Sequence, residues 1–93
     1  RNGGALSDYA SAYDIGILEL AAGDYRAAAD ALGAAAAIAG SAEAMAKAYV
    51  LLGDALSEQR LTREARGAYE AALGANPGSR DARSKLYRLD ASP

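Results

Sequence analysis

Apolar and polar positions along this 93-residue chain never settle into the period-two alternation of a half-buried strand. Small apolar residues recur at helical spacing instead, interrupted at intervals by glycine, serine, threonine and proline, and the pattern predicts five helices. Ser7 is the expected N-cap of the first, with Asp8 in the first turn where the helix dipole favours an anion, and this helix runs to about Ala21. Gly23 closes it and Asp24 caps the second, which continues to about Ala39 before Gly40-Ser41 breaks it. Ser41 caps a third helix that carries Glu43 in its first turn and ends near Gln59; Thr62 caps a fourth that stops before the turn signal Asn76-Pro77-Gly78. Ser79 opens a fifth through Leu89, and residues 91–93 trail off.

Two stretches, 9–42 and 46–79, carry nearly the same code. The first has Ala12, Ile15-Gly16, Gly23-Asp24-Tyr25, Ala28, Leu32, Ala35 and Gly40; the second has Tyr49, Leu52-Gly53, Leu56, Ala65, Tyr69, Ala72 and Asn76-Pro77. Gly16 and Gly53 sit mid-helix, where glycine costs about 1 kcal/mol relative to alanine. Such a cost is explained if another helix crosses directly over them. Ala28 and Ala35, like Ala65 and Ala72, are seven apart and share one helix face, so they form the flat seat for that crossing. Leu32 and Tyr69 lie between them as the large knobs of the same interface. A repeat of this period points to stacked helix pairs rather than to a catalytic globule.

This pattern resembles the tetratricopeptide repeat family. Residues 46–79 match its signature spacing throughout, including the dipeptides Glu64-Ala65 and Asn76-Pro77. Residues 9–42 match more loosely: Ala12 stands where a large aromatic is common, Glu19 where a large apolar residue is expected, and Gly40 where the terminal proline would be. The two mid-helix glycines are 53 − 16 = 37 apart, three more than the family's usual period, and the extra residues are assigned to 38–42, as a longer second helix or a wider turn. The resemblance implies an all-α array of antiparallel helix-turn-helix repeats, a short right-handed α-solenoid. Residues 1–6 form a tail, 7–78 hold the two repeats, and 79–93 form a capping helix with its own tail, whose Arg80, Arg83, Lys85 and Arg88 face water.

Composition narrows the chemistry. Of the 48 hydrophobic residues 26 are alanine and 11 leucine, so helices approach closely and little thick core remains for a deep cavity. All six aromatics are tyrosines, each bringing a hydroxyl that wants water or a partner. Without Cys or His the chain has no disulfide, no thiol chemistry and none of the commonest zinc ligands, and its compartment, cytoplasm or periplasm, stays open. The least charged run, 31–42, is too short and too poor in large apolar residues to span a bilayer, and no signal-peptide pattern opens the chain. The start at Arg1-Asn2-Gly3-Gly4 lacks a Met and reads as a cut edge of a larger protein, and the richness in Ala, Gly and Arg suits a high-GC bacterial source.

No residue set reads as a catalytic site, so no enzyme is expected, and no cofactor or metal is implied. A nucleophilic serine would lack its histidine base, while Ser7, Ser41 and Ser79 are used as caps. Asp54 and Glu58 lie four apart and could hold a hard cation, but a solvated acidic face is the simpler reading. Charge is polarised: residues 1–59 carry eight acids and three bases, and residues 60–93 seven bases and four acids, for a net −2. The overall acidity argues against nucleic acid as partner even with the basic C-terminal helix.

What the resemblance implies is a concave groove lined by the first helix of each pair. Carried over, that groove presents Ala10, Tyr13, Asp14, Ile17 and Leu20 from the first helix, Lys47, Val50, Leu51, Asp54 and Ser57 from the third, and Ser84, Lys85 and Arg88 from the cap. The Lys and Asn set with which some members clamp a terminal carboxylate is absent, since Tyr13 and Ile17 stand in its first places. The expected function is a protein–protein interaction module. It would hold a peptide or helix of a partner protein, with an apolar side chain against Tyr13, Ile17 and Leu20 and an acidic group near Lys85 and Arg88. The alternative is structural self-association, head to tail, because two repeats are few and the two ends differ in charge.

Overall fold

The computed structural model describes residues 8–91, and within them the order is α1 (Tyr9–Ala22), α2 (Tyr25–Ile38), α3 (Ala42–Glu58), α4 (Thr62–Ala75) and α5 (Arg80–Ala91). Among the described residues there is no strand. Each helix packs on the one before it, and connections of two to four residues make successive helices antiparallel. No helix is long and apolar enough to cross a membrane among the described residues.

Helix ends follow local chemistry at most positions. Asp24, Ser41 and Ser79 each accept a backbone N–H three residues on, at 3.3, 3.1 and 3.2 Å, which satisfies a donor that the first turn leaves bare. Gly23, at φ 81°, closes α1 with hydrogen bonds from its own N–H to Leu20 O and from Asp24 N–H to Glu19 O. Two expected starts shift. Asp8 is the N-cap residue of α1 rather than a first-turn residue, because its backbone is extended and its carboxylate accepts from Ser11 Oγ at 2.9 Å; Ser7 lies outside the described residues. Thr62 is the first residue of α4 and not its cap. The chain leaves α3 through Arg60 at φ 64°, Arg60 N–H bonds Ser57 O and Leu61 N–H bonds Leu56 O, so Leu61 reaches the cap position with no side chain able to accept.

The three extra residues of the first repeat lie elsewhere than expected. α2 ends at Ile38 and has 14 residues, as α4 does, and the connection to α3 is only residues 39–41. α3 has 17 residues and begins eleven before Gly53, so the added length forms an N-terminal turn of α3, not a longer second helix or a wider loop. Ala42, Glu43 and Ala44 are strong helix formers behind the Ser41 cap, which favours that solution. This turn is used: Tyr9 OH donates to Ala44 O at 2.8 Å and ties the start of α1 to α3.

Packing rests on alanine. Ala12, Ala28, Ala35, Ala48, Ala55, Ala65, Ala72 and Ala82 have no exposed surface, and Leu32 is the largest side chain fully enclosed. A Cβ built on Gly16 would stand 2.5 Å from Leu32 Cγ, and one on Gly53 would stand 2.7 Å from Tyr69 Cδ1 and 2.8 Å from Cζ. Those separations lie far inside van der Waals contact, so each glycine is the space its partner's knob occupies. Ala65, Tyr69 and Ala72 of α4 close with Ala46 and Val50 of α3 and Ala82 of α5 into one cluster, which Leu86 and Leu89 of α5 cover from the side.

Candidate partner-binding groove

Gly53 does more than let α3 and α4 touch. With no side chain there, the Tyr69 ring of α4 lies across α3, and its hydroxyl donates to Asp54 Oδ1 at 2.6 Å. Asp54 in turn receives Lys85 Nζ of α5 at 2.8 Å on both carboxylate oxygens. Three helices are thereby joined at one carboxylate, whose side chain keeps 24 % exposure. Burial of the Tyr69 ring, followed by the bond to Asp54 and the negative charges of Asp54 and Glu58, pushes its pKa well above the ordinary tyrosine value, with Arg88 opposing. Tyr69 therefore stays a proton donor across the physiological range.

Two clefts open beside this junction, and both are lined mainly by α1, α3 and α5. The larger, about 500 Å³, is lined by Leu20, Tyr25, Asp54, Ser57, Glu58, Tyr69, Lys85, Arg88 and Leu89. The smaller, about 370 Å³, is lined by Tyr13, Ala46, Lys47, Val50, Leu51, Asn76, Ser79, Arg80 and Asp81. Tyr13 stacks on Tyr9 with ring centroids 5.4 Å apart and planes 20° from parallel. Both hydroxyls are harder to ionise than usual: partial burial leads in each case, with Tyr13 acting next on Tyr9 and Asp14 next on Tyr13.

Residues 13–80 and 50–91 each match the family profile described as Tetratricopeptide repeat. Together they span most of the chain. The chain belongs to the tetratricopeptide repeat family. No curated protein matches the sequence. Tetratricopeptide repeat proteins are generally protein–protein interaction modules and typically non-enzymatic scaffolds, and the five-helix array is a helical repeat solenoid of that kind.

Within this tetratricopeptide repeat fold the residues singled out from sequence fall into four groups. Leu20, Asp54, Ser57, Lys85 and Arg88 meet in the larger cleft, and Tyr13, Lys47, Val50 and Leu51 in the smaller. Ile17 lines neither of these two clefts but is 41 % exposed on α1, while Ala10 and Asp14 are exposed beside it. Ser84 lies apart from both, in an open depression of about 570 Å³ with Arg80, Arg83, Tyr87 and Arg88. Val50 is 7 % exposed and belongs to the core cluster of α3, α4 and α5, so it forms cleft floor rather than a projecting contact.

The basic end of the groove also differs in kind from a row of cations. Lys85 is closed onto Asp54, so this end presents an ion pair flanked by Glu58 and Arg88. The same contacts occupy the Asp54 carboxylate, leaving a cation site with Glu58 without its principal ligand. Sequence reasoning missed the link from Tyr69 to Asp54, although the adjacency of Gly53 and Asp54 carried it. A knob that passes over the glycine emerges beside the next residue. It also missed Gln59, whose side-chain amide donates to Tyr25 O at 3.3 Å and Ala55 O at 3.2 Å and holds the α2 start against the end of α3.

Proposed function

We propose that this chain is a protein–protein interaction module that receives a peptide or helix of a partner protein on the face formed by α1, α3 and α5. The observation that carries the reading is that the larger and the smaller cleft open on those same three helices. α1 contributes the apolar part, Tyr13, Ile17 and Leu20, on which an apolar side chain of the partner rests. Lys85 and Arg88 receive an acidic group of the partner at the other end. Since Lys85 already holds Asp54, the polar end sets which charge is admitted, and most of the affinity comes from the apolar end.

The test is selection of peptides from a random library on the folded chain, followed by calorimetry and mapping of amide chemical shifts. Selected peptides are expected to shift resonances of α1, α3 and α5 and to lose at least tenfold in affinity on Leu20→Asp or Tyr13→Ala, with Arg26→Glu on the outer side of α2 unchanged. Binding that survives both groove substitutions and shifts α2 or α4 instead overturns the assignment.

A further inference from the structure

The two ends of the array are unlike. On α3 the face that includes Ala48, Leu51, Leu52 and Ala55 is covered by α2. Displacing that face by the 37 residues that separate Gly53 from Gly16 gives Ser11, Asp14, Ile15 and Leu18 on α1, and among the described residues no helix lies outside them. Leu18 is 68 % exposed there, a large apolar side chain at a position whose counterpart, Ala55, is fully enclosed. At the opposite end α5 turns Ala82 inward, and Arg83 and Tyr87 face the other way, with Tyr87 76 % exposed, while Arg80 at the start of the helix borders both this outer face and the smaller cleft.

We infer that the chain associates with further copies of itself head to tail, the outer face of α5 in one copy seating on the outer face of α1 in the next. Charge decides between the possible pairings. Two α1 faces brought together would oppose Asp8 and Asp14 to themselves, and two α5 faces would oppose Arg80 and Arg83 to themselves. Only the mixed pairing sets Arg80 and Arg83 against Asp8 and Asp14, and it lays the Tyr87 ring on Leu18. Arg83, which donates to Pro77 O at 2.9 Å from an exposed position, exchanges that bond for a carboxylate. A heterologous contact of this kind does not close on itself at two subunits, so association adds copies with rising concentration.

Neither Leu18 nor Tyr87 lines the two clefts, so this inference and the peptide reading fail independently. The test is light scattering and sedimentation of the whole chain. The wild-type mass is expected to rise from 9.4 kDa with concentration, and to fall back as salt is added. Leu18→Glu and Tyr87→Glu, both at exposed positions that leave the helical signal unchanged, are each expected to remain at the monomer mass. An equimolar mixture of the two is expected to reach twice that mass and no more, because each retains one competent face. A wild-type chain that stays monomeric at every concentration overturns the inference. So does a Tyr87→Glu chain that still pairs, which would mean that α1 faces meet each other, and so does association indifferent to salt, which would remove the charge argument.

Discussion

Replacing glycine by alanine at two helix interiors of this chain is expected to move stability in opposite directions. At Gly67, in the middle of α4, a Cβ would meet nothing within 4 Å, so the only effect is on helix propensity, a gain of about 1 kcal/mol. For a domain of this size that gain raises the Tm by about 4–8 °C. At Gly53 the same propensity gain is available, but the new Cβ falls inside the ring of Tyr69. That ring has little room to yield, being 3 % exposed between Ala65 and Ala72 and pinned through its hydroxyl to Asp54 at 2.6 Å. Overpacking costs about 1–3 kcal/mol, and displacing the ring far enough to lose a hydrogen bond to a carboxylate costs a further ~1.5–3 kcal/mol. Subtracting the propensity gain leaves Gly53→Ala less stable than the wild type by about 1.5–5 kcal/mol, and so about 2.5–6 kcal/mol below Gly67→Ala. Urea denaturation followed by helix circular dichroism measures both, with the dependence on denaturant unchanged if the folded state keeps its extent. A Gly53→Ala chain as stable as Gly67→Ala would refute the claim that the α3–α4 crossing has no space for a methyl group.

Other substitutions test other parts of the structure. Arg60→Gly is expected to stabilise by about 1 kcal/mol in the same urea assay, because Arg60 holds φ 64° in a turn that the first repeat makes with Gly23 at φ 81°. Glu19→Leu is expected to stabilise by about 1–2 kcal/mol, since Glu19 Oε1 is shut away from water with no hydrogen-bond partner where the second repeat has Leu56. Asp54→Asn is expected to cost about 1–3 kcal/mol through the bonds to Tyr69 and Lys85, whereas Arg66→Ala, which loses an ion pair to Asp90 with 40 % and 56 % side-chain exposure, costs less than about 1 kcal/mol. For pH, the folded-state pKa of Tyr69 is raised above 10.0, so its contribution is intact below that value and is lost as the pH rises above it; Tyr69→Phe should flatten the alkaline decline of stability by up to about 1.4 kcal/mol per pH unit.

Much of the fold was legible because the informative residues act through local rules. Asp24, Ser41 and Ser79 cap as their chemistry dictates, and the Gly53 and Tyr69 pair is a steric statement that spacing alone can make. The start of α4 was not legible, because Thr62 has the chemistry of a cap while the exit of α3 through Arg60 is decided by backbone bonds to Leu56 and Ser57. The added turn of α3 was missed for a related reason. Gly40-Ser41 marks where a helix begins, but a count of residues between two glycines cannot say on which side of that break the surplus lies.

The groove shows the same division more sharply. Helical periodicity places Tyr13, Ile17 and Leu20 on one face of α1, and Asp54 and Ser57 on the corresponding face of α3, without reference to any contact. It cannot tell that Lys85 will close on Asp54, because that depends on how far α5 tilts over α3, and the tilt is set by Ala82 seating in the α3–α4 cluster. A smaller residue than tyrosine at position 69 would leave Asp54 with Lys85 alone, and a larger one than glycine at 53 would keep the hydroxyl from arriving. The polar end of the groove is thus determined by the alanine and glycine packing beneath it. A substitution in that packing is expected to alter partner discrimination without touching a residue the partner meets.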